Sequence, residues 1–164
     1  PEVIRVFAGK KYMDAIYVIP PVAASVFFIF LYSLFSTIEY YYQKTGFIAI
    51  ATCVCAVLNL VLNYFGIKMY GYYAAGYTTL ICYVCLAFFH YIFYKKALKE
   101  VGNEENMYDV KLIVSLSAIV IAIMIIMALT YSQTWIRYGL LIAIVCVSII
   151  FKNKILEAIS ALRK

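Results

Sequence analysis

Long apolar runs broken by short polar clusters dominate the chain. Crossing about 30 Å of hydrocarbon takes about 20 apolar residues in a helix. Five runs reach or approach that length, over residues 16–38, 47–67, 72–94, 112–131 and 135–151. The fourth is the cleanest, with Ser115, Ser117 and Thr130 as its main polar residues. The fifth is short and carries Arg137 at its edge, where a long side chain reaches toward the headgroups. These runs exceed the 9–11 residues of a membrane barrel strand and lack its alternation, so the pattern predicts helices. Helices also pair every backbone group internally, as lipid demands. The expected fold class is all-α, a polytopic membrane bundle of about five helices. The loop at 95–111 is the only boundary in the pattern, dividing residues 1–100, a Tyr-rich block of three spans, from residues 101–164. That second part contains an acidic loop, an Ile-rich hairpin and a tail. In the tail Ile155, Leu156, Ile159 and Leu162 share one helical face, as expected of a segment lying along the membrane surface.

Composition sharpens this picture. Hydrophobic residues make up 66% of the 164 and charged residues 13%, with a mean hydropathy of +0.93. A soluble domain carries about 25% charged residues, so this chain has too few to cover a water-facing surface. The formal net charge of +6 does not point to nucleic acid. A nucleic-acid binder gathers its basic residues on one solvated face, whereas here they fall between apolar runs. Their distribution sets an orientation instead. Arg5, Lys10, Lys11, Lys68 and Arg137 lie on one side. Lys44, Lys95, Lys96, Lys99, Lys111, Lys152, Lys154, Arg163 and Lys164 lie on the other. The positive-inside rule makes the larger set, and the C-terminus, cytoplasmic. Tyr40, Tyr41 and Tyr42 then mark the inner interface, and Tyr70, Tyr72, Tyr73 and Trp135 the outer one. The chain starts at Pro1 with neither Met nor a signal peptide, and is expected to continue N-terminally into further helices that partner these.

Few polar residues interrupt the spans. Asn59 and Asn63 lie four apart on the second, sharing a helical face. An amide in hydrocarbon needs partners, so this face points at other helices or lines a substrate path. Glu39 closes the first span beside a Tyr cluster, where interfacial solvation is the default and gating or coupling the functional alternative. His90, near the inner end of the third span, is interfacial and hydrogen-bonded by default, or relays protons. Pro20 and Pro21 form either a hinge or the first turn of a helix. Cys53-Val-Cys55 and Cys82-Tyr-Val-Cys85 lack the further ligands a closed zinc site needs, and read as packing volume. No metal or cofactor is expected, and no phosphate loop, nucleophile elbow or metalloprotease motif marks an enzyme.

The stretch Gly9-Lys-Lys-Tyr12-Met-Asp-Ala15-Ile-Tyr-Val-Ile-Pro20-Pro21 resembles the G-x-x-Y-x-x-A-x-x-[VIL]-[ILV]-P segment of bacterial polysaccharide-biosynthesis flippases. These form the Wzx-like branch of the multidrug, oligosaccharidyl-lipid and polysaccharide exporter superfamily. Asn59-Leu-Val-Leu-Asn63-Tyr64, then Tyr70-Gly71-Tyr-Tyr-Ala74-Ala75-Gly-Tyr-Thr78-Thr79, is similar to the family's N-x-x-x-N followed by a small-residue, Thr-rich helix start. Lys68 stands where many relatives have proline. The resemblance implies helices ten to fourteen of a transporter with two six-helix lobes and a final hairpin. It also implies a bacterial inner-membrane location and a polyprenyl-diphosphate-linked oligosaccharide as substrate, moved by alternating access. The alternatives are a drug or metabolite antiporter of the same superfamily, a membrane-embedded enzyme of glycan or lipid synthesis, or a small scaffold.

Overall fold

A computed structural model describes residues 2–7, 9–102, 107–130, 133–136, 138–139, 142, 146, 149 and 152. Every regular element among them is helical, so the fold is all-α. In chain order come α1 (Glu2–Phe7), a 3₁₀ segment (Lys10–Val18), α2 (Ile19–Tyr41), α3 (Thr45–Tyr70), α4 (Ala74–Glu100) and α5 (Val110–Thr130). Among the described residues four helical stretches are long and apolar enough to cross a membrane: Lys10–Tyr41, Thr45–Tyr70, Ala74–Glu100 and Val110–Thr130. They coincide with the first four expected spans. The fifth, at 135–151, and the amphipathic tail fall largely outside the described residues. The chain divides into two compact units, Pro1–Ala128 and Leu129–Lys164.

Local chemistry explains the helix ends. Pro20 and Pro21 sit in the first turn of α2, directly after the 3₁₀ segment. Their missing N–H groups cost no bond there, because a helix leaves its first N–H groups unpaired. The turn after α2 is a Schellman motif: the N–H of Lys44 donates to the Glu39 carbonyl at 2.8 Å and that of Gln43 to Tyr40 at 3.0 Å. Gln43 there has φ +57°. α3 stops at Gly71, whose φ of 76° and ψ of −171° suit only a residue without a β-carbon. α5 starts from a side-chain cap, Asp109 Oδ1 accepting the N–H groups of Lys111 at 2.9 Å and Leu112 at 3.3 Å.

The core lies between α2 and α4, which form the most extensive interface, while α3 packs on the other side of α4. Ala24, Phe28, Leu31 and Phe35 of α2 bury against Leu80, Ala87, Tyr94 and Leu98 of α4. Around Phe35 stand Tyr91, Tyr94 and Tyr108, with ring centroids 5.5, 5.6 and 5.7 Å away. Burial, then the neighbouring Tyr94, holds the Tyr108 phenol above its usual range, so it stays protonated and donates to the Leu34 carbonyl at 3.3 Å. α4 outruns its expected end at Tyr94 by more than a turn, because Tyr94, Ala97 and Leu98 keep burying against the core. Small residues set the helix spacing. A β-carbon at Gly76 would lie 2.7 Å from Val18 Cγ1, and one at Gly66 3.1 Å from Thr78 Cγ2 and 3.3 Å from Ala74 Cβ.

Candidate functional site

Among the described residues, two contacts between polar side chains of different spans tie the apolar helices together. The first joins α2 to α4. Glu39 Oε1 and His90 Nδ1 lie 2.8 Å apart, with the Glu39 side chain 0% and the His90 side chain 1% exposed. Interfacial solvation, the default expectation for Glu39, is therefore corrected: its side chain is sealed between helices. The reason is the packing of α2 along α4, which brings His90 rather than water against the carboxylate. Tyr32 stacks on His90, with centroids 5.6 Å apart at 29°. Glu39 Oε2 is buried and has no hydrogen-bond partner. The nearest cation along the chain is spent elsewhere, since Lys44 Nζ lies 2.6 Å from Glu100 Oε2.

The second contact joins α3 to α4. Asn63 Nδ2 donates to Asn59 Oδ1 at 2.9 Å, as a four-residue step permits. Thr78 Oγ1 in turn donates to Asn63 Oδ1 at 2.7 Å. Asn63 thus spends its amide within the helix and its carbonyl oxygen across it. Asn59 faces a cleft of about 530 Å³ between α3 and α4, lined also by Thr52, Cys55, Thr79, Cys82 and Tyr83. Asn63 borders a separate open groove with Tyr64 and Lys68, where Lys68 Nζ lies 5.9 Å from the Tyr64 ring centroid.

The structure thus brings Glu39 to His90 and Asn59 to Asn63, and leaves Pro20 and Pro21 in a plain helix start. The sequence reading missed both interhelical partnerships. It weighed Glu39 and His90 separately, although their placement near the same membrane face was a usable signal. Thr78 was seen only as part of a Thr-rich helix start. Cys55 and Cys82 are buried and unbonded, and Cys53 is exposed. Among the described residues no three His, Cys, Asp or Glu side chains cluster as a metal site. Compared with protein-family models, characterised proteins and solved structures, the chain finds no match in any of the three.

Proposed function

We propose that this chain belongs to a membrane flippase that carries polyprenyl-diphosphate-linked oligosaccharides across a bacterial inner membrane by alternating access. In this reading the end bearing Lys44, Lys95, Lys96 and Lys99 is cytoplasmic, and helices outside this sequence complete the cavity. The motif resemblance over Gly9–Pro21 and Asn59–Thr79 suggests the class. The structural observation that carries it is the cleft between α3 and α4, where Thr52, Asn59, Thr79 and Tyr83 line an opening within otherwise apolar helices. Polar groups facing a cavity inside membrane helices mark substrate paths. Asn59 holds one hydrogen bond within its own helix, so its remaining amide capacity is open to a saccharide hydroxyl.

The test is complementation of a flippase-null strain by the full-length gene product, read beside protein abundance. Asn59→Leu is expected to abolish transport at near-normal abundance, while Asn63→Leu loosens the α3–α4 contact and keeps transport. Full complementation by Asn59→Leu overturns the reading.

One observation favours the antiporter reading. A carboxylate sealed within the bundle, as Glu39 is, suits a carrier coupled to a cation gradient. Efflux of small organic cations without rescue of glycan export would select it.

A further inference from the structure

We propose that Glu39 and His90 form a proton-binding latch between α2 and α4, closed while the pair holds a single proton and opened when it is lost. This rests on the pair's geometry and is independent of the flippase reading.

The arrangement has three parts. Two titratable side chains from different helices lie 2.8 Å apart and are shut off from solvent, at 0% and 1% exposure. One carboxylate oxygen, Glu39 Oε2, is buried without a hydrogen bond. A purely structural buried pair has its remaining lone pairs satisfied; this one leaves an acceptor empty at the full cost of desolvation. Finally, among the described residues no ion pair reaches Glu39 except that with His90. Tyr32 of α2 stacks on His90 itself, and the flanking elements also carry Tyr42 after α2, Lys44 before α3, Cys55 on α3, Tyr83, Cys85, Tyr91, Tyr94, Lys95 and Lys96 on α4, and Tyr108 before α5. Of the cations, Lys44 bridges Glu100, Lys95 lies over the Tyr91 ring and Lys96 over the Phe47 ring.

Charge counting then fixes the number of protons. With none, the pair is a buried net anion; with two, a buried net cation; with one, it is neutral whichever atom carries the proton. An apolar interior selects the neutral state. Once separated, with Glu39 turned toward water at the end of α2, the two groups no longer have to share one proton. In alkaline solution the separated pair holds no proton, so closing takes one up and weakens as pH rises. In acid the separated pair holds two, so closing releases one and weakens as pH falls. The latch is tightest between these limits. Glu39 lies two residues from the end of α2, and its carbonyl anchors the Schellman turn through Lys44. Opening therefore moves a helix end and its turn.

Ser36 provides the reporter. It is 7% exposed and stands one turn before Glu39 on α2. In the full chain lacking native cysteines, alkylation of Ser36→Cys by a membrane-permeant maleimide is followed against pH, with and without Glu39→Gln. Taking the ratio of the two rates cancels the thiol's own titration. Over the alkaline range the ratio is expected to rise on the order of tenfold per pH unit, because only the carboxylate background opens. A ratio flat across pH overturns the latch. His90→Gln leaves Glu39 alone to hold the closing proton, so opening is expected to begin at lower pH, and the ratio of its rate to that of the chain with both residues intact rises through the mildly acidic range before levelling off. A ratio flat through that range overturns the proposal even if Glu39→Gln misfolds.

Discussion

Gln43 holds φ +57° in the turn after α2, a conformation that costs a residue with a β-carbon about 1–2 kcal/mol. Glycine adopts it freely but gives up more entropy on folding. Gln43→Gly is therefore expected to stabilise the protein by about 0.5–1 kcal/mol, measured as a shift in the thermal or detergent unfolding midpoint. A loss of stability would mean that the Gln43 side chain holds the turn by contacts of its own. Side chains also mark where sequence reasoning stops. Asn59 and Asn63 were legible as a pair because four residues of one helix fix their geometry before any folding. Glu39 and His90 were not, since 51 residues separate them and only the packing of α2 on α4 decides whether a carboxylate near a helix end meets water or a ring.

Elements were far more legible than contacts. Runs of about 20 apolar residues have one stable form in lipid, and so the first four spans were readable to within a few residues. The exceptions have local causes. The 3₁₀ segment Lys10–Val18 extends the first span on its N-terminal side. α4 lengthens because Ala97 and Leu98 find the core. Helix spacing is set at the two close glycines, which are not equivalent. At Gly76 an added methyl meets Val18 Cγ1 at 2.7 Å, backed by the Val18 carbonyl and Pro21 Cγ at 3.3 Å; at Gly66 it meets only the ends of small side chains. Replacing glycine by alanine inside a helix gains about 1 kcal/mol, while overpacking costs about 1–3 kcal/mol. Gly66→Ala should be close to neutral and Gly76→Ala destabilising. The order of their unfolding midpoints checks this, and a reversed order would show that the α2 start gives way more easily than the α3–α4 contact.

For the compact unit as a whole, burial is unevenly shared. α2 and α4 hold nearly all the buried residues, α3 contributes Ala51 and Cys55, and α5 has none. The most apolar of the four spans is the one least embraced by its neighbours, and the least apolar, α4, lies at the centre. This has a consequence for biogenesis. A helix enters the bilayer by its own partition energy, and interhelical contacts form afterwards. α5, capped by Asp109 and without a charge beyond Lys111 near its start, satisfies the lipid alone. α4 brings His90 and, toward its end, Lys95, Lys96 and Lys99, and its histidine finds its counterpart only on a helix that must already be present. In a glycosylation-mapping insertion assay α5 should therefore insert efficiently in isolation. α4 should insert poorly alone and improve when α2 and α3 precede it. Equal insertion of isolated α4 and α5 would contradict this. Otherwise the Glu39–His90 contact also sets an order of assembly, with α2 waiting in the membrane as the template on which the central helix is retained.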